Sequence, residues 1–296
     1  MRVAMKSLVG VMVLGLGLSA FGTEGGGGAY PNGAEGIMTG ALPPPGNYLI
    51  DYNLYYAADS LMDGDGNKVP IDFDLEVFGT VFRFVHVSKK TIFGGSWAQH
   101  IFIPFLNVDV STPAGSGNEF GLGDLIVDPF ILGWHKGNFH CVAGVDFYVP
   151  VGAYDRDDMA NVGRNYWTVE PVFAATYLNT SGYETSVKLM YDINMENSDT
   201  KVDSGDEFHC DFAIAKRLKR LTLGIGGFYY KQITNDDYPS TVPPQARSGK
   251  GQQVALGPLV GYQCGPASIV FKYQKEFETE SRPEGDRFWL KLVMPL

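Results

Sequence analysis

From Tyr48 to the C-terminus, apolar residues return at every second position in segment after segment. This is the period of a β-strand with one apolar face, and it leaves little room for helix. Tyr48, Ile50, Tyr52, Leu54 and Tyr56 alternate with Asn47, Leu49, Asp51, Asn53 and Tyr55. Tyr183, Val187, Leu189, Tyr191 and Ile193 interleave with Glu184, Ser186, Lys188, Asp192 and Asn194, and the final run sets Phe288, Leu290, Leu292 and Met294 against Arg287, Trp289, Lys291 and Val293. Such runs predict twelve strands, over 48–57, 72–87, 96–109, 122–134, 139–150, 165–178, 183–196, 207–216, 220–233, 252–263, 267–278 and 286–296. The uncharged stretch from Val254 to Phe271 is the one helical rival, but Gly257, Pro258, Gly261, Gly265 and Pro266 weaken a helix. Cys264-Gly265-Pro266 reads instead as a hairpin turn.

The connections between these strands alternate long and short along nearly the whole chain. A soluble β-sandwich has no reason to do so. A transmembrane up-and-down antiparallel barrel does, with short turns on the periplasmic side and long loops outside. The expected fold is therefore all-β, a barrel of about twelve strands, with both termini in the periplasm. Strands of roughly 9–11 residues suffice to cross the hydrocarbon layer when tilted. A barrel exposes only half of its side chains to lipid, which fits a mean hydropathy of -0.06 with 45% hydrophobic residues. Tyr48, Tyr56, Trp167, Tyr177, Tyr183 and Trp289 fall near strand ends, where an aromatic girdle sits, although Trp289 has the inward parity.

Residues 1–22 read as a signal peptide. Arg2 and Lys6 precede an apolar core from Leu8 to Leu18, and Ser19-Ala20-Phe21-Gly22 offers a cleavage site. Residues 23–46, with Gly25 to Gly28, Tyr30-Pro31-Asn32-Gly33 and Pro43-Pro44-Pro45-Gly46, form an irregular lead-in placed at the periplasmic mouth, where it acts as a constriction. The barrel then occupies 47–296. Cys141, Cys210 and Cys264 are too few and too scattered for a disulfide framework and read as small hydrophobes. A net charge of -10 supplies no basic face for nucleic acid.

Several blocks resemble one family. The lead-in ending Pro43-Pro44-Pro45-Gly46-Asn47-Tyr48, the central Gly121-Leu122-Gly123-Asp124-Leu125 through Pro129, and the turn His135-Lys136-Gly137-Asn138-Phe139-His140 carry the likeness. Phe147-Tyr148-Val149-Pro150-Val151-Gly152-Ala153-Tyr154-Asp155 and Asn161-Val162-Gly163-Arg164-Asn165-Tyr166 continue it. Together they resemble the MetA-pathway of phenol degradation family. The resemblance implies an outer-membrane transporter associated with aromatic catabolism. The chain departs from common barrel practice by ending Met294-Pro295-Leu296 rather than in an aromatic residue that the barrel-assembly machinery reads.

If the apolar parity faces lipid, the other parity lines the lumen. It carries Asp51, Tyr55, Asp74, Glu76, Phe78, Phe82, Phe84, Asp146, Tyr148, Glu170, Glu184, Lys188, Asp192, Asp211, Lys272 and Lys291, with Phe228 and Tyr230. Such an acid-leaning interior favours cations and neutral solutes over anions. Its aromatic residues suit a partly apolar small molecule, or simply pack a narrow barrel. Asp63, Asp65 and Asn67 imitate the start of a calcium loop, but Lys68 stands where that loop needs Gly, so a solvated turn is the expectation. His86, His100, His135, His140 and His209 show no zinc spacing, and no cofactor is expected. The reading is a monomeric, non-enzymatic channel in the outer membrane of a Gram-negative bacterium, passing small, aromatic or hydrophobic solutes. A structural or adhesive barrel with partner-binding loops is the alternative, and a phospholipase-like enzyme the remote one.

Overall fold

The computed structural model describes residues 24–243 and 247–296. The signal peptide expected over 1–22 lies outside the described residues. The strands are β1 (Gly46–Leu61), β2 (Asp74–Ile92), β3 (Gly95–Thr112), β4 (Gly115–Leu122), β5 (Leu125–Lys136), β6 (Phe139–Val149), β7 (Thr168–Leu178), β8 (Tyr183–Asn194), β9 (Glu207–Leu218), β10 (Leu221–Gln232), β11 (Gln252–Cys264), β12 (Ala267–Glu280) and β13 (Pro283–Pro295).

Every pairing is antiparallel, and β1 bonds to both β2 and β13, from Tyr48 opposite Pro295 to Leu61 opposite Pro283. The sheet therefore closes on itself. β4 and β5 share one partner: β4 pairs with Phe105–Thr112 of β3, and β5 with Ser96–Phe102. They are two halves of one stave, broken at Gly123 and Asp124, and the barrel has twelve staves. The sequence reading placed a loop at 110–121. The chain instead turns tightly at 113–114 into β4, whose Gly-Ser-Gly-Asn start carries no apolar alternation.

One end of the barrel holds the turns at 93–94, 137–138, 179–182, 219–220 and 265–266, together with Gly46 and Pro295. The other holds the long segments 62–73, 150–167 and 195–206, with 233–243 and 247–251. We call these the turn end and the loop end. On the outer face Phe78, Phe84, Phe105, Phe120, Phe173, Ile214, Ile225, Phe271 and Leu290 stand exposed. In water so much contiguous apolar surface is untenable, whereas against hydrocarbon it is the required surface.

The lead-in is not confined to the turn end. Leu42 packs near that end against Gly133 and the Val85, Val87, Ala98 and Ile131 cluster. Glu24, at the other extreme, accepts a hydrogen bond from Asn197 Nδ2 in a loop-end segment at 3.1 Å. The segment thus runs the height of the barrel. Its bend at Pro31–Ala34 closes with the Ala34 N–H donating to the Pro31 carbonyl at 3.1 Å, and Gly33 adopts φ 79° there. Only glycine suits that turn, since a Cβ would also collide with Gln274 and Phe228.

Candidate functional site

The lumen has two unlike walls. Strands β6 to β13 carry the polar one, and the lead-in is fastened to it. Asp211 on β9 accepts hydrogen bonds from the Tyr30 hydroxyl at 2.6 Å and from the backbone N–H groups of Gly33 and Glu35, each at 2.9 Å. Lys272 on β12 donates to the carbonyls of Gly33, Ala34 (2.8 Å) and Glu35 (2.7 Å). Further towards the turn end, Glu184 accepts from the Met38 N–H and Thr176 from the Gly40 N–H at 3.0 Å. Backbone groups that a buried irregular segment would leave unpaired are thereby satisfied by wall side chains.

Glu35 is the anchor's charged centre. Its carboxylate meets Lys291 Nζ at 2.5 Å, Arg83 Nη1 at 3.2 Å and the Tyr52 hydroxyl at 2.7 Å, drawing β13, β2 and β1 onto the lead-in. Both partners of such a buried pair are needed, because removing one strands the other's charge.

The second wall is apolar. Leu54, Leu75, Val77, Val81, Phe102, Leu106 and Val108, from β1 to β3, line a cavity of about 550 Å³ whose opposite side is lead-in residues 24–35. Tyr148 and Trp289, both buried, form its floor region, and exposed Arg156, Asp158 and Met159 border it at the loop end, where it opens. The volume falls within the usual range for small-molecule pockets, about 300–1,000 Å³, and the lining is of the apolar kind with a few polar groups.

Of the residues assigned to the lumen from sequence, Asp146, Tyr148, Glu170, Glu184, Lys188, Asp192, Asp211, Lys272 and Lys291 are buried or nearly so inside the barrel. Phe228 and Tyr230 join them. The first two strands run with the opposite parity. Tyr52 and Tyr56 point inward, so Asp51 and Tyr55 share the outer face, where the Tyr55 ring packs on Phe288. Arg83, Val77 and Val81 likewise point inward, which puts Asp74, Glu76, Phe78, Phe82 and Phe84 outside. The physical reason is that this part of the wall is apolar on both faces, so alternation alone cannot distinguish lipid from cavity.

Sequence reasoning also missed Glu35, Tyr52, Arg83, Glu276 and Arg287. Arg83 carried a usable signal, since a guanidinium on the lipid face costs about 2–4 kcal/mol at the midplane and its parity alone points inward. Glu276 and Arg287 pair at 2.6 Å across β12 and β13. In the segment 62–73, Asp63 Oδ1 accepts from the backbone N–H groups of Asp65 (2.9 Å) and Asn67 (2.8 Å), the geometry of a self-capped turn. The three cysteines are free thiols.

Fold and lumen together define a plugged β-barrel of the outer-membrane type. Residues 58–292 match the family described as "Putative MetA-pathway of phenol degradation", and the chain belongs to that family. Among solved structures it resembles the COG4313 outer membrane channel from Pseudomonas putida F1 at 19% identity, over 88% of this chain and 98% of that one, with a TM-score of 0.78. The β domain of the Bordetella autotransporter BrkA aligns at 10% identity over 84% and 99% of the two chains with a TM-score of 0.52. The translocator domain of the autotransporter NalP from Neisseria meningitidis aligns at 9% over 87% and 91%, also with 0.52. A search among curated proteins gives no match.

Proposed function

We propose that this protein is an outer-membrane channel for passive uptake of small, predominantly apolar solutes, aromatic ones among them. The carrying observation is the cavity between the apolar wall of β1–β3 and the lead-in, open at the loop end. With an even number of staves, the loop end faces outside and both termini face the periplasm. Solutes enter from the loop end, lie against Leu54, Val77, Val81 and Phe102, and pass on when the lead-in yields. A permanently open aqueous pore is a poorer description, because the lead-in is bonded to the wall along the lumen's height. The match to the COG4313 channel supports the channel reading through its fold. No catalytic step is proposed. His209, one of two inward histidines, is wholly enclosed beneath the lead-in, and the other, His100, is held by Asp146 and Arg83.

Liposome swelling and whole-cell accumulation, measured with a panel of monocyclic aromatics, sugars and salts, test this reading. The expected result is accumulation of aromatics well above the barrel-free control with slow sugar entry. Sugar and salt entry as fast as through an open porin, with no gain for aromatics, would refute it.

A further inference from the structure

Two buried clusters of histidine and carboxylate occur among the described residues. They differ in one respect. Around His100 both ring nitrogens and both Asp128 oxygens are occupied: Asp128 accepts from the N–H groups of Phe130 (2.7 Å) and Val145 (2.8 Å), His100 Nε2 bonds Asp146 at 2.8 Å, and Arg83 meets His100 Nδ1 at 2.9 Å. That cluster is a closed hydrogen-bond network.

Around His209 the network is incomplete at His209 and Asp192. Asp192 on β8 lies directly opposite Glu207 on β9, and His209 follows two residues later on the same inward face. All three are fully buried. His209 Nε2 lies 3.1 Å from Asp192 Oδ2 and 3.5 Å from Glu207 Oε2. Nevertheless neither Nε2 nor the two Asp192 oxygens makes a hydrogen bond of good geometry among the described residues. Two carboxylates and the Nε2 atom converge on one buried point, which requires positive charge there, either a proton on His209 or a metal ion.

The surroundings complete the pattern. His209 Nδ1 stands 2.6 Å from Asn32 Oδ1 on the lead-in; its N–H donates there, which leaves the Nε2 lone pair facing the carboxylates. A metal-bound imidazole is held in this way by an acceptor on its other nitrogen. Tyr230 donates to Glu207 Oε1 at 2.6 Å, orienting the other oxygen towards His209. Ligand atoms around a tetrahedral ion with bonds of about 2.0–2.2 Å are separated by about 3.3–3.6 Å, close to the spacings found here. Two carboxylates neutralise a divalent charge, which suits a site sealed by Gly28 of the lead-in against Glu207.

We propose that Asp192, Glu207 and His209 bind a divalent transition-metal ion of the zinc type, which fastens the lead-in to the barrel wall. The imidazole ligand selects against calcium and magnesium, which take oxygen ligands. The ion holds His209, His209 holds Asn32, and Asn32 belongs to the bend that Asp211 and Lys272 also grip.

The test uses the full chain, purified untagged, with His135→Ala and His140→Ala in every sample, because that exposed pair, with Nδ1 atoms 2.8 Å apart, could hold an ion by itself. After chelator treatment the protein is dialysed against Zn2+ and its metal content measured, then repeated with Co2+ and read by visible absorption. One equivalent of zinc per barrel and cobalt d–d bands are expected, both lost in His209→Ala and in Asp192→Asn and both kept in His100→Ala. Heat-modifiable migration on gels confirms that each variant retains a closed barrel. A folded parent barrel that takes up no zinc would overturn the proposal, as would an equivalent of zinc that survives His209→Ala. If His209→Ala does not fold, Asp192→Asn decides in its place.

Discussion

Replacing Glu35 by Gln tests how the lead-in is held. The side chain keeps its shape and some hydrogen bonding but loses the charge that Lys291 at 2.5 Å and Arg83 at 3.2 Å oppose. Breaking one partner of a buried ion pair costs about 3–5 kcal/mol. Arg83 retains Tyr52 and His100 as neighbours, so the lower end applies, about 3 kcal/mol. At about 1.4 kcal/mol per tenfold, the docking equilibrium shifts towards the released lead-in by roughly a hundredfold. Lys272 and Asp211 still hold the bend, so the lead-in opens more often rather than leaving permanently. Single-channel recording in planar bilayers should show frequent excursions to a larger conductance that are rare in the parent protein. A folded Glu35→Gln barrel with unchanged traces would refute the view that this pair latches the lead-in.

Other outcomes follow from the same geometry. Gly40→Val drives a side chain into the β7 backbone at Ala175 and should loosen the turn-end half of the lead-in, raising conductance without preventing barrel closure. Asp124→Ala removes the acceptor for the Gly152 and Arg164 N–H groups, at 2.9 and 2.7 Å, and should expose segment 150–167 to limited proteolysis that the parent resists. Burial pushes the Glu24 carboxyl above its ordinary range. Its contribution to docking is therefore fully present below the ordinary carboxylate pKa and lost as pH rises through the raised value. A spin label at position 27 should gain mobility as pH rises over that window; mobility gained on acidification would contradict the assignment.

The staves were legible because charged and apolar residues alternate along them. On β8, Glu184, Lys188 and Asp192 interleave with Tyr183, Val187 and Leu189, and only one arrangement spares lipid from the charges. On β1 and β2 that contrast fades. Tyr52, Leu54, Val77 and Val81 face the cavity while Tyr55, Phe78 and Phe84 face outward, and both sets are apolar. The strands misassigned from sequence are thus those that build the apolar cavity, and Arg83, whose charge argues against the lipid face, carried the unread signal of their true parity. The route of the lead-in was hidden for a different reason: Tyr30 meets Asp211 and Glu35 meets Lys291, contacts between residues far apart in the chain that no local pattern encodes. The same holds for Asp192, Glu207 and His209, which strand register brings together without any ligand spacing in the sequence.

The central claim is that the apolar cavity accepts the solute. Val81→Trp fills it from the β2 wall, and overpacking of this kind costs about 1–3 kcal/mol, which a closed barrel withstands. Accumulation of a monocyclic aromatic by cells carrying Val81→Trp, compared with the parent at equal amounts of folded barrel, is the direct measurement. The account predicts that uptake falls to the barrel-free background while small-ion conductance persists. Aromatic uptake equal to the parent's would contradict it.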